Sequence, residues 1–312
     1  MIAAVICVAS VFLSAFFIRN AAISNSAKGN RDLLPEIRQA PYDSSVFGNT
    51  GVKRESINAI DFHDTLEEMP LFGWWDCSVK TNGGDGGVGY GPGKPVWEKG
   101  KSVYAWITKD DDGKRLHIAA NGTVFALWDS MLLFENYTNL QEINFNGAFD
   151  AKNIVSADRM FMNCSSLEKI DLSGLHFSAV TTTWRMFENC SKLSEVDLSG
   201  FSGAYCIEDT DSMFSHCSSL KTIDMRPLHT SMVTKMSAMF EECSFIEDLD
   251  LSGFNTEKVT NMDRMFSGCT SCKKFDISGF SDASLESAEG MFDLTTGEII
   301  CDTAKFNLSK WK

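Results

Sequence analysis

Apolar positions between residues 131 and 303 recur with a period far longer than that of a single helix or strand. Met-Phe pairs stand at Met160-Phe161, Met186-Phe187, Met213-Phe214, Met239-Phe240, Met265-Phe266 and Met291-Phe292, spaced by 26, 27, 26, 26 and 26 residues. Leu133-Phe134 adds a member 27 residues earlier. Other columns keep the same register. Four residues after each Met comes Cys164, Cys190, Cys217, Cys243 or Cys269, and three further on Leu167, Leu193, Leu220, Ile246 or Cys272. Ile170, Val196, Ile223, Leu249 and Phe275 follow, then Leu172, Leu198, Met225, Leu251 and Ile277. A Ser-Gly pair closes four of these five units, and Arg226-Pro227 closes the other. A fixed period in the twenties means a solenoid whose coils bury their apolar faces on one another. The Leu-x-x-Ile-Asp-Leu segment alternates apolar and polar residues at its end, which predicts a half-buried strand. The Met-Phe segment has apolar residues at three- and four-residue spacing, which predicts a helical turn or short helix packed on the sheet.

The unit C-S-x-L-x-x-[IVL]-D-[LIM]-S-G-F, followed by V-T-x-M and M-F, resembles the BspA-like leucine-rich repeat of bacterial surface proteins. Its clearest copy runs from Asp250-Leu251-Ser252-Gly253-Phe254 through Val259-Thr260-Asn261-Met262 to Met265-Phe266. The resemblance implies an α/β solenoid: a leucine-rich-repeat-like, right-handed coil stack with a parallel β-sheet on one face. It also implies an exported protein that meets other surfaces; it does not imply an enzymatic activity.

Four segments follow from this reading. Residues 1–27 form a signal peptide or membrane anchor, 28–130 an N-terminal region with a Gly-rich loop and a β cap, 131–303 about seven repeats, and 304–312 a C-terminal cap. Met1–Ile18 carries no charged side chain, and Arg19 is the first. The run predicts an N-terminal apolar helix at the border between a signal-peptide core and a membrane span. Ala22-Ile23-Ser24 offers a small-x-small cleavage pattern, whereas Arg19, Lys28 and Arg31 after the run favour a cytoplasmic C-terminal side. Membrane contact is expected through residues 1–18 only, with the body extracellular or at the cell surface.

Asp64 to Met69 reads as a short helix. Val103–Ile107 and Leu116–Ile118 read as a hairpin closed by Asp110-Asp111-Asp112-Gly113, with Asn121-Gly122 as a second hairpin turn into Val124–Leu127. Gly84 to Gly89 matches G-x-G-x-x-G, but Pro92 and Pro95 forbid a following helix and no apolar strand precedes it. Trp74, Trp75 and Trp97 flank this loop and read as a small core rather than an aromatic contact patch. The Asp110–Asp112 cluster reads as a solvated turn, because the Gly and Glu of a calcium loop are out of register.

The chain holds 42 acidic and 28 basic residues, a formal net charge of −14. Of these, 27 acidic and 15 basic residues fall within 131–312, so the repeats carry the acidity. Such a surface disfavours nucleic acid and favours basic protein partners. The Cys column has the wrong spacing for zinc and reads as buried small hydrophobes. The five His, at 63, 117, 176, 216 and 229, show no ligand or triad spacing. No cofactor, metal or catalytic set is expected.

The Asp column, Asp171, Asp197, Asp224, Asp250 and Asp276, lies between inward positions and should point outward. Stacked ~5 Å apart, such charges repel by about 0.8 kcal/mol per pair in water. Two readings stand: the carboxylates accept hydrogen bonds from the following turn, or they form a face for cations or a basic partner. Lys169, Glu195, Thr222, Asp248 and Lys274 are the neighbouring outward positions, and with the Asp column they make up the candidate partner-binding face. The expected function is a non-catalytic cell-surface or secreted protein-binding scaffold, with adhesion to host matrix or other cells as its use. The alternatives are an envelope spacer without a ligand, or an enzyme in region 60–130 with the repeats for targeting.

Overall fold

A computed structural model describes residues 36–37, 45–46, 49–70, 74–76, 103–111, 113–126 and 130–311. The apolar run on which the N-terminal helix was expected, the Gly-rich loop and Trp97 lie outside the described residues.

The expected α/β solenoid is not the architecture observed. The described residues contain no α-helix, only short strands, turns and three 3-10 turns, and no helix there is long and apolar enough to cross a membrane. The parallel sheet expected along one face is broken into pairs: β11 (Lys169–Asp171) pairs with β12 (Glu195–Asp197), and β13 (Lys274–Asp276) with β14 (Glu298–Ile300). The segments around Ile223 and Leu249 form no strand.

The Met-Phe segments are tandem turns rather than helix. Alternate amides bond within the turn, Met160 N–H to Ala157 O and Met162 N–H to Arg159 O. The amides between them donate to the next repeat, Arg159 to Trp184 O, Phe161 to Met186 O and Asn163 to Glu188 O. A helix would satisfy all of them internally. The alternation requires left-handed backbone twice per repeat, just before the Met and three residues after it: Arg159 and Asn163, Arg185 and Asn189, Ser212 and His216, Ala238 and Glu242, Arg264 and Gly268. Non-glycine residues pay roughly 1–2 kcal/mol for that conformation, and the inter-repeat bonds offset it. The same pattern runs unbroken from Leu132 N–H on Asp158 O to Gly268 N–H on Asp293 O. Beside it, single parallel bridges join Ser156, Thr182, Asp209, Lys235, Asn261 and Ser287 in turn.

Stacking in register puts like side chains on one another. Phe134, Phe161, Phe187, Phe214, Phe240 and Phe266 form a column with ring centroids 5.2–6.0 Å apart and nearly parallel planes. The Met column and the Cys column are buried beside it. Each column thiol donates to the carbonyl of a Phe in the preceding repeat, as in Cys164 Sγ to Phe134 O at 3.1 Å and Cys217 Sγ to Phe187 O at 3.2 Å. Burial pushes the Cys164 and Cys269 thiols up to about 12. They are therefore protonated, small apolar groups with one weak donor each.

The N-terminal region adds a five-stranded sheet in the order β5 (Trp74–Asp76), β6 (Val103–Asp110), β7 (Gly113–Ala120), β4 (Ala59–His63), β9 (Glu142–Asn144). β6 and β7 are an antiparallel hairpin with Asp110 opposite Gly113, whereas β4 is parallel to both β7 and β9. β9 is the first strand-forming segment of the repeats, so the sheet runs directly into the stack. Asn121-Gly122 closes no second hairpin. It sends β8 (Val124–Ala126) away to lie parallel between β1 (Glu36–Ile37) and β10 (Phe149–Asp150). A further hairpin joins β2 (Ser45–Val46) to β3 (Asn49–Lys53). Asp64 to Met69 is a bend and turn, not a helix. On the sheet face away from the main core, Trp74 packs against Leu66, Met69, Tyr104, Trp106 and Ala119. At the far end Phe306 is buried against Phe280, and the Trp311 indole N–H donates to Asp282 Oδ2 at 3.3 Å.

Candidate functional site

The ten outward residues singled out from the sequence form one exposed strip beside the broken strand pairs. Lys169, Asp171, Glu195, Asp197, Thr222, Asp224, Asp248, Asp250 and Lys274 are exposed, and Asp276 is half-buried. All five Asp of the column accept the backbone N–H two residues on: Ser173 at 2.8 Å, Ser199 at 2.8 Å, Arg226 at 3.0 Å, Ser252 at 3.0 Å and Ser278 at 3.2 Å. Each carboxylate therefore closes its own turn. The Ser173 hydroxyl and N–H hold Asp171 below the usual carboxylate range, and the corresponding Ser252 and Ser278 groups do so for Asp250 and Asp276. The Arg226 guanidinium, with its backbone N–H, draws Asp224 down to about 2.

Charges along the strip are partly matched. Lys169 Nζ meets Glu195 Oε2 at 2.5 Å, Arg226 Nη2 meets Asp224 Oδ2 at 2.7 Å, and Lys274 Nζ meets Asp276 Oδ2 at 3.1 Å. Where β12 loses its partner, a groove of about 410 Å³ opens between Glu195-Val196 and Thr222-Ile223, with Asp224, Arg226 and Asp250 on its wall. Gly200 brings its Cα so close to the Leu172 carbonyl that a Cβ would stand 2.2 Å from the oxygen. One repeat later that position is Pro227.

A second cluster was not visible in the sequence. Asp61 and His63 alternate on β4 and so share one face. The parallel neighbour β7 brings His117 beside them, with Asp61 opposite His117 in the register. His63 Nε2 lies 3.0 Å from His117 Nδ1, and His117 Nε2 lies 2.8 Å from Thr108 Oγ1. Arg115 Nη1 grips both Asp61 oxygens at 3.1 and 2.9 Å, and Asn144 Nδ2 donates to Asp61 Oδ1 at 2.8 Å. Burial pushes the His117 imidazole below its ordinary value, against the pull of Asp61. The Asp61-x-His63 spacing on a strand was the available signal. His117 lies 54 residues away, and only strand pairing reveals it.

A family model described as Mycoplasma protein of unknown function, DUF285, matches residues 128–223 and 208–312, together more than half of the chain. The chain belongs to this family. No curated protein and no solved structure matches it.

Proposed function

We propose that the protein is a non-catalytic, secreted or cell-surface scaffold that binds a basic protein through the outward strip of its repeats. The observation that carries this reading is the acidic groove flanked by Glu195, Asp224 and Asp250, set in a strip that is exposed along successive repeats. The rest of the stack is internally committed: its apolar columns are buried and its turn edge is hydrogen-bonded from repeat to repeat. Within the strip the Asp column is constant, whereas Lys169, Glu195, Thr222, Asp248 and Lys274 vary from repeat to repeat. Its net acidity suits a partner rich in Lys and Arg and speeds encounter at low salt. The likeness of the motif to BspA-like repeats and the apolar run at residues 1–18 support placement outside the cell.

The test is binding of the full chain to intact host cells and extracted matrix, compared with a Glu195→Lys, Asp248→Lys variant. Neither side chain closes a turn and both are exposed, and a thermal melt of the variant checks that folding survives loss of the Glu195–Lys169 pair. Binding should fall at least about tenfold, which corresponds to 1.4 kcal/mol, and should weaken with added salt. Equal binding by both proteins overturns the reading. Protease shaving of producing cells should remove residues 131–303, and full protection of the repeats overturns the extracellular placement.

A further inference from the structure

We propose that Asp61, His63 and His117 form a binding site for a borderline divalent transition metal such as Zn²⁺ or Co²⁺, a role separate from the acidic strip. One donor atom from each residue lies within 4.8 Å of the other two. Two imidazole nitrogens bound to one tetrahedral metal at about 2.0–2.1 Å stand ~3.3 Å apart. His63 Nε2 and His117 Nδ1, at 3.0 Å, are already close to that separation. Asp61 Oδ2 lies 3.9 Å from His117 Nδ1 and completes the set.

The atoms behind these donors are placed as a metal site requires. A ligating imidazole needs its other N–H directed at an acceptor, which sets the tautomer and aims the lone pair. For His117 that acceptor is Thr108 Oγ1 at 2.8 Å. His63 Nδ1 has the exposed Glu68 Oε2 nearby at 3.6 Å, an ion-pair contact rather than a hydrogen bond. Asp61 Oδ1 is fixed by Asn144 Nδ2, so Oδ2 is the oxygen turned toward the metal. Arg115 competes for that oxygen, but its Nη2 also holds Glu142 Oε1 at 2.7 Å, so its charge stays matched. The Trp106 indole covers both imidazoles, with ring centroids 5.0 and 5.7 Å away, and walls the site from one side. Side-chain exposures of 19%, 11% and 14% for His63, His117 and Asp61 leave an opening for the ion. Two imidazoles and one carboxylate favour Zn²⁺, Co²⁺, Ni²⁺ or Cu²⁺ over Ca²⁺ and Mg²⁺, which take oxygen ligands.

Titration of the full chain with Zn²⁺ by calorimetry, and with Co²⁺ by visible absorption, tests the site. One equivalent should bind, and Co²⁺ should develop ligand-field bands. His63→Ala and Asp61→Asn should each weaken binding at least about tenfold, as should loss of the imidazole's supporting partner in Thr108→Val. Thr108 is exposed, so that variant keeps the fold even if His117→Ala does not. Absence of one-equivalent binding, or binding equally tight in His63→Ala and Asp61→Asn, overturns the proposal.

Discussion

The two long edges of the repeat stack are built from equally apolar columns, yet they behave differently. On the turn edge, every repeat from Leu132 to Gly268 donates backbone bonds to the next. On the strand edge, pairing survives between β11 and β12 and between β13 and β14 and lapses between them. Cross-repeat bonding on the turn edge depends on left-handed residues, and each repeat supplies them at the same two places even without Gly. On the strand edge the turn residue does not track pairing: the Leu249 and Phe275 segments do not pair with one another although Gly253 and Gly279 follow them, whereas β13 pairs with β14 with Thr303 in the Gly column. Apolar burial alone therefore does not decide where backbones pair. On the turn edge, left-handed backbone at two fixed positions accompanies every cross-repeat bond.

The largest expected effect breaks the turn edge. Phe214 sits in the middle of the stacked column, between Phe187 and Phe240. Phe214→Ala should cost about 3–5 kcal/mol in urea unfolding. Ile223→Ala, at the groove lip and 8% exposed, should cost less, about 2 kcal/mol. Equal losses would mean that the two edges are energetically alike.

A smaller effect sharpens the role of left-handed backbone. Ala238 has φ 53°, whereas two repeats later the same column holds Gly290 at φ 63°. Ala238→Gly should raise stability by about 1 kcal/mol, because the Cβ penalty is removed. A loss of the size seen for Gly in a helix interior would refute the tandem-turn account.

The smallest effect is one of pH. Burial, reinforced by the Asp209 charge, raises Asp211 beside the bridge row to about 6, and burial raises Asp158 in the same direction. The folded state therefore holds the Asp211 proton more tightly than the unfolded chain does. Its stabilising contribution is complete below pH 3.8 and is lost as pH rises through about 6. On the strand edge the sign reverses: Asp171, Asp224, Asp250 and Asp276 stabilise above the ordinary carboxylate range, and their contribution fades as pH falls toward their lowered values. Asp211→Asn should flatten the stability profile between pH 4 and 7 specifically, measured by thermal melts across that window. A profile unchanged by the substitution would show that the carboxyl is solvated.

Much of this was legible from the chain. The period, the burial of the Met, Phe and Cys columns and the outward Asp column all follow from apolar spacing, because stacking identical units forces identical residues into identical environments. The β6–β7 hairpin was readable for a similar reason: two β-rich runs flank a turn-forming Asp-Gly cluster. The helical reading of the Met-Phe segment went wrong because three- and four-residue spacing fits tandem turns as well as a helix. Only the choice of hydrogen-bond partner, internal or in the next repeat, separates the two.

What the sequence alone determined, then, is the register: which residues lie over which, and which columns face inward. What the tertiary structure decided is where backbones pair across that register, and which distant side chains meet. The groove beside Ile223 depends on which neighbouring repeats pair as strands, and the meeting of His117 with Asp61 and His63 depends on two strands aligning in parallel. Both are contacts between segments far apart in the chain, and neither leaves a periodic trace in any one of them.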